Sequence, residues 1–451
     1  MNLTDISASG RPDGGLYRAV WRWHFFAGLL VMPVLMLMAL TGAIYLFKDE
    51  IESVVYRPLL SVPARSESVS PQAWAAAAQT AVPGRLVQVV VPAEMEASAK
   101  LVVQTPQGRR DVFVDPHDAR VLGAIPSGGV MQIVKTLHSL DIAGPTFNLF
   151  VELVAGWAIV MVATGLVLWW PRGRSGGVVT VRGAPGQRVF WRDLHAVGGV
   201  FVGGVIIFLA VTGMPWSAFW GKEVRNLTNA AGWGRPEAPA ETQGWSHGPD
   251  HKAAPGGLPW ALQGAEMPSM PAGPSLSLDA MVARIDASGL PRPYALAIPD
   301  KAGVAWSASY APEAVRGMRT LYLDAATGRT LADIGYGQFG PAAKAIEWGI
   351  SVHQGREFGL ANKLVMLGGC LGVWGLGISG LVMWWKRRPK GRLAAPPRPL
   401  ARGSYVALAA VVVPLALVYP LVGASLITVL SLDVLVQRFR MRRAPAGDGL
   451  P

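Results

Sequence analysis

Four histidines stand at matched distances from the ends of apolar runs. In WRWHFFAGLLVMPVLMLMALTG, His24 is followed by Gly28 and by Thr41-Gly42; in DLHAVGGVFVGGVIIFLAVTG, His195 is followed by Gly199 and by Thr212-Gly213, so the offsets +4, +17 and +18 coincide. A second pair behaves alike. His138 precedes Thr164-Gly165 by 26 and 27 residues and Trp169-Trp170 by 31 and 32, and His353 precedes Ser379-Gly380 and Trp384-Trp385 by the same numbers.

One membrane histidine alone reads as a hydrogen-bonded packing residue or an interfacial anchor. Four at duplicated offsets point to function, because an ionisable side chain near the bilayer core is costly. A neutral imidazole on each face of a planar macrocycle is how a protein holds haem iron six-coordinate for electron transfer. Zinc would need three or four ligands converging on one point, which two histidines per site do not supply. His24 and His195 therefore form the candidate ligands of an inner haem iron, and His138 and His353 those of an outer one. Gly28, Gly42, Gly199 and Gly213 leave room for a flat cofactor against backbone, though ordinary small-residue helix packing accounts for them as well. Arg356, three residues after His353, and Lys135, three before His138, stand where they could neutralise propionates of the outer haem; solvated surface charge is the alternative. His247 and His251 in SHGPDH lie in a loop-like stretch with little to favour a metal, and His117 in DPHDAR reads as a turn residue.

The elements that must carry these residues are membrane helices. Of 451 residues, 51% are hydrophobic and 16% charged, a composition that disfavours a purely soluble protein. The net charge of +12 does not signal nucleic acid, because it is concentrated in loops between apolar runs. The single cysteine, Cys370, excludes a disulfide, a thiolate cluster and covalent haem attachment through CxxCH, and reads as a small packing residue. Spans are expected at Phe25 to Phe47, Leu149 to Trp170, Ala196 to Trp216 and Leu364 to Trp385. The first reads as a retained span and not a cleaved signal peptide.

Charge sets their direction. Arg18 and Arg22 flank the entry of the first span and Lys48, Asp49, Glu50 and Glu52 its exit, so residues 1–15 are expected in the cytoplasm. The loop 171–192 holds Arg172, Arg174, Arg182, Arg188 and Arg192, and the loop 386–403 holds seven cations and no acid. Both loops are expected in the cytoplasm too. The final apolar stretch, Tyr405 to Val436, is long for one helix of about 20 residues and carries Pro420 near its middle; a tight helical hairpin is expected over 404–437 in preference to a single tilted span, ahead of a basic tail at 438–451.

Two soluble segments lie on the outer side. Residues 48–130 carry an Ala-rich helix at Pro71 to Thr80, then LVQVVVP, KLVVQT and DVFVDPHDARVLG as strands and turns. A short helix with His138 and a break at Gly144-Pro145 precede the second span, within 131–170. Residues 219–345 begin with a Pro/Gly/Ala-rich insert, Ala230 to Pro274, expected as loop, followed by a helix capped near Ser277 and the strands YALAIP, VAWSASY and RTLYLDAATGRTLADI. Asp115 and Arg120 align with Asp324 and Arg329. The fold class expected is a polytopic α-helical membrane protein: a duplicated span, outer domain and span, with two small α+β modules. Such parallel repeats are related by an axis along the membrane normal, which pairs equivalent histidines across it.

The motifs W-x-x-H-x-x-x-G, LH, DLHAVGG and H-x-G-R-x-F-G, with the TG...WW span endings, together resemble the PepSY-associated transmembrane family, often described as iron-regulated membrane proteins, over most of residues 16–440. Tyr322 to Gly328 is similar to the Y-x-D-x-x-T-G hairpin of the PepSY module; the first module carries Phe113 and His117-Asp118 in those places. The resemblance implies two periplasmic PepSY modules, two haem b groups on His24, His138, His195 and His353, and an inner-membrane reductase of ferric siderophores; quinol and a partner reductase are both open as the donor. Two other readings stay open at this point. One is a haem-free periplasmic binding or regulatory protein, and the other a cytochrome b subunit serving a separate reductase. No nucleotide or flavin fingerprint identifies the electron donor.

Overall fold

The structure is a computed structural model, and it describes residues 14–171, 176–236, 245–246, 258–263, 267–268, 274–301, 303–389, 413–414, 416–428, 431 and 435. Among the described residues, four helices are long and apolar enough to cross a membrane, Leu16–Tyr45, Asn148–Trp169, Arg188–Trp216 and Gly359–Arg387. Together with an eight-stranded antiparallel sheet, they make this a polytopic membrane protein with a soluble region. Apolar runs become helices here because a bilayer offers no water to the backbone, and a helix satisfies its own N–H and C=O groups.

In chain order, α1 (Gly14–Tyr45) leads to α2 (Lys48–Val55), α3 (Arg57–Leu60) and α4 (Pro71–Ala81), then to β1 (Arg85–Val91), β2 (Ala99–Thr105), β3 (Gly108–Val114) and β4 (Val121–Pro126). Next come α5 (Gly129–His138), α6 (Asn148–Trp169), α7 (Arg188–Gly213) and α8 (Trp220–Ala230). Two paired two-residue strands, β5 (Trp245–Ser246) and β6 (Met267–Pro268), precede α9 (Leu278–Ala287). The chain then runs through β7 (Tyr294–Ala297), β8 (Trp306–Tyr310), β9 (Arg319–Leu323), β10 (Thr330–Gly335), α10 (Pro341–His353) and α11 (Gly359–Arg387). The spans expected from Phe25 and Ala196 begin earlier as helices, at Gly14 and Arg188, because hydropathy marks only the apolar part and nothing in the polar turns before it breaks the backbone.

The chain divides into a helix unit, Met1–Leu40, Ser139–Trp220 and Gly368–Pro451, and a sheet unit, Thr41–His138 and Gly221–Leu367. In the sheet unit the strand order is β10-β9-β8-β7-β1-β2-β3-β4, antiparallel throughout. Each module thus contributes four strands, and the first strands of the two pair with each other, Val89 opposite Leu296 and Val91 opposite Tyr294. What the sequence does not announce is that the modules share one sheet and one core. Trp74, Ala75 and Ala78 of α4 and Met281, Val282 and Ile285 of α9 are buried in the same cluster as Val89, Leu101, Leu296 and Leu321. The two helices start alike: Ser70 and Ser277 cap them by accepting the N–H of Ala73 and Ala280. They are also tied together, since Gln72 N–H donates to Asp279 Oδ1 at 2.7 Å.

The insert is not all loop. Trp260, Ala261 and Leu262 are buried with Tyr322 and Phe339. Arg225 of α8 lies 4.5 Å above the Trp260 ring and donates to Gln263 O, while Glu347 of α10 accepts the Ala261 N–H at 2.8 Å. The insert, expected as loop, thus carries one short buried turn at these residues, and a three-residue segment is too short to show periodicity. His247, His251 and most other insert residues lie outside those described.

In the helix unit, α1 meets α6 through Ala27, Val31, Val154 and Met161. It meets α11 through the Trp374 indole, which donates to Met36 O at 3.0 Å. The expected hairpin over 404–437 falls in part outside the described residues; within it, residues 420–428 are helical after a bend at Tyr419. Tyr419, Val422 and Leu426 bury against Ala155 and Ile159, and Trp157 donates to Ser425 Oγ at 3.0 Å. Cys370 is buried in α11 and unpaired.

Candidate functional site

Inside the helix unit, α1 and α7 bring His24 and His195 together. Their ring centroids stand 6.2 Å apart with the planes perpendicular. Each ring is held from behind by a hydroxyl on another helix. His24 Nδ1 lies 3.0 Å from Thr164 Oγ1 of α6, and His195 Nδ1 lies 3.1 Å from Ser379 Oγ of α11 and 3.1 Å from Leu376 O.

These contacts fix the tautomers. The Thr164 hydroxyl is already directed at the carbonyls of Val160 (2.8 Å) and Met161 (3.1 Å), so its single proton is committed and its oxygen accepts from His24. Ser379 is committed in the same way to Gly375 O (2.6 Å) and Leu376 O (3.1 Å). At His195 the case is stronger still, because the Leu376 carbonyl can only accept. Both imidazoles thus carry the proton on Nδ1, and in the neutral ring Nε2 is left with a free lone pair, the form in which histidine binds a metal. Gly165 and Gly380, the residues after those hydroxyls, lie against the rings: a Cβ there would stand 3.4 Å from His24 Cε1 and 3.6 Å from His195 Cε1. Gly28 and Gly199 face Met161 and Leu376 at ordinary contact distances of 3.6 and 3.7 Å.

The Thr-Gly and Ser-Gly pairs read in the sequence as landmarks of span ends are therefore part of the site. The signal was present in their constant offset from His138 and His353. What the sequence could not show is that Thr164 serves His24 and Ser379 serves His195, since the partners are 140 and 184 residues apart. Asp193, two residues before His195, is fully buried and clamped by Arg182 (2.7 Å) and Arg192. This orders the start of α7.

In the sheet unit, His138 is the last residue of α5 and His353 the last of α10. His138 Nδ1 lies 3.0 Å from the Oγ1 of buried Thr41, which stands 17 residues after His24. Thr212, 17 residues after His195, donates to Phe208 O at 2.7 Å. Lys135 is exposed one turn before His138. Arg356 is partly committed to the fold, donating from Nη2 to Pro312 O (2.8 Å) and Ala311 O (3.2 Å). His117 is set apart from the ligand candidates. Hydrogen bonds to the carbonyls of Glu67 and Met95 engage both ring nitrogens and raise its pKa, as two acceptors favour the doubly protonated ring.

One acid of this unit is also perturbed. Burial pushes the Glu347 carboxyl up to about 7, partly opposed by the Ala261 N–H and by Arg225. Among the described residues, no group of three or more His, Cys, Asp or Glu side chains is placed to hold a metal ion, and the imidazole pair on view is His24–His195. The chain matches the family model described as the PepSY-associated TM region over residues 21–387. No curated protein matches it.

Proposed function

The chain belongs to the family of the PepSY-associated TM region, and from that premise we propose that it is a di-haem b oxidoreductase of the bacterial inner membrane that reduces ferric siderophores in the periplasm. The observation that carries the reading is the His24–His195 pair, two imidazoles with Nδ1–H donated, Nε2 free and centroids 6.2 Å apart. That donor set fits a bis-imidazole haem. Bound there, haem would supply one-electron transfer without a change of ligands.

The chain's own residues do the rest. His24 and His195 would hold the inner group and, by their matched offsets, His138 and His353 the outer one, while the Thr164, Ser379 and Thr41 hydroxyls would fix the orientation and basicity of the rings they meet. The matched offsets and contacts support a duplicated span, outer module and span. The basic loops support a cytoplasmic N-terminus and a periplasmic sheet unit. The substrate, a ferric chelate, gains one electron; its hard oxygen ligands hold Fe2+ less well than Fe3+, so iron is released. No side chain need donate or accept a proton in that step, and positioning suffices. Quinol or a partner reductase would supply the electron from the inner side.

The test uses the purified full-length protein. Two haems per chain with a reducible b-type spectrum are expected, His24→Ala and His353→Ala each removing one. Stopped-flow mixing of the reduced protein with a panel of ferric siderophores is expected to reoxidise it. No haem at all would overturn the reading. Haem without acceleration by any chelate would leave an electron carrier for another reductase.

A further inference from the structure

The end of the helix unit nearest His195 carries two arginines that the proposed function leaves unused. Arg188 is the first residue of α7, seven residues and two turns before His195, so the two project from the same face. Arg387 is the last residue of α11, eight residues after Ser379, whose oxygen holds His195. The two helix ends are tied together by Lys386 Nζ, which donates to Gly186 O at 2.9 Å. Arg387 lies over the rings of Trp21 (4.7 Å) and Phe25 (5.5 Å) of α1, the residues three before and one after His24. Both arginines therefore stand on the same side of the histidine pair.

Arg188 and Arg387 are close enough to repel each other electrostatically. The acid on the same helix, Asp193, is already clamped by Arg182 and Arg192. Among the described residues Arg188 has no hydrogen-bond or ion-pair partner. Two guanidinium groups on helix ends that are tied together, one over an aromatic platform, suit carboxylate or phosphate oxygens.

We propose that Arg188 and Arg387 are the anchors of the propionate carboxylates of the cofactor held by His24 and His195. The inference rests on the haem reading above and adds to it the residues that set the cofactor's rotation about the iron axis, an orientation two imidazoles alone leave open. The same guanidinium pair would accept the phosphate of an anionic lipid, and the test separates the two.

Full-length protein carrying His353→Ala, made under haem limitation so that only the inner site titrates, is reconstituted in nanodiscs of neutral lipid. It is titrated with protohaem and with protohaem dimethyl ester, whose propionates are masked, and the Soret band is read. Protohaem is expected to bind roughly tenfold or more tightly than the ester, the scale of one charge-assisted hydrogen bond. Arg188→Gln and Arg387→Gln are expected to lower protohaem affinity while leaving the ester unchanged, and Arg387→Lys, which keeps the charge, to retain part of the difference. Equal loss for both ligands would mean a structural role, and an unchanged preference for protohaem would mean the arginines are not the anchors. A loss appearing only in anionic-lipid nanodiscs would assign the pair to lipid phosphate. Each of these outcomes overturns the inference while leaving the haem reading intact. Absence of any Soret titration would overturn both.

Discussion

The two halves of this chain reach the same local geometries with different residues. His24 leans on a threonine and His195 on a serine, and both hydroxyls spend their proton on their own helix. In the sheet unit the turn after β3 and the turn after β9 close with the same bonds, Asp115 N–H to Arg120 O and Asp324 N–H to Arg329 O, both 2.9 Å. The left-handed residue of the first turn is Ala119 (φ 58°) and that of the second is Gly328 (φ 68°). What both halves keep is the role: a hydroxyl acceptor, a positive φ, a carboxylate folded onto its own backbone. Residue identity varies where two side chains can meet one requirement.

That comparison can be broken or sharpened by exchanging residues between the halves. The largest effect is expected at Glu347, six residues before His353, where Gln132 stands six before His138. Glu347 is buried and its pKa is raised to about 7, so the folded state binds a proton that the unfolded state gives up from about pH 4.5 upward. Its penalty is therefore absent below about 4.5, grows as pH rises through about 7, and is full above. Glu347→Gln is expected to stabilise the protein at pH 8 by up to roughly 3 kcal/mol and to do little at pH 4.5, whereas Gln132→Glu, at an exposed site, is expected to be nearly neutral at both. Thermal unfolding of the three proteins against pH decides it. An equal effect at both pH values would remove the buried charge as the cause.

Removing the hydroxyl behind each imidazole comes next. Thr164→Val leaves His24 Nδ1–H without its hydroxyl acceptor and is expected to cost about 1–3 kcal/mol. Ser379→Ala is expected to cost less, because the Leu376 carbonyl at 3.1 Å still accepts from His195. Chemical denaturation in detergent would rank them, and a reversed order would show that the hydroxyls are not the principal acceptors.

The smallest effects are expected in the two turns. Gly328→Ala forces a Cβ into positive φ and to 2.9 Å from Arg284 Cγ and Leu276 Cδ1, and is expected to cost about 1–2 kcal/mol. Ala119→Gly relieves the same conformation at the cost of a freer unfolded chain, and is expected to stabilise by about 0.5 kcal/mol. Melting temperatures that moved in the same direction for both would mean that the turns are not equivalent.

Much of this molecule was legible as pattern. Spans, strands, the Ser277 cap and the Gly144-Pro145 break follow from local rules that act within one turn or one hairpin: apolar length, alternation, a side chain reaching its neighbour's N–H. The buried Trp260–Leu262 segment was not legible, because its cause is nonlocal. Arg225 and Glu347 hold it from α8 and α10, and neither bears any fixed spacing to it.

By itself the sequence determined that four histidines stand at matched positions and that four helices of membrane length carry or flank them. The tertiary structure alone decided which hydroxyl each ring meets, hence which nitrogen keeps its proton and which keeps a lone pair. It also decided that the two modules join through β1 and β7 into one sheet. The physical reason is the same in both cases. Offsets along a chain fix the face of a helix or the register of a strand, but hydrogen bonds between residues more than a hundred positions apart depend on which elements pack together.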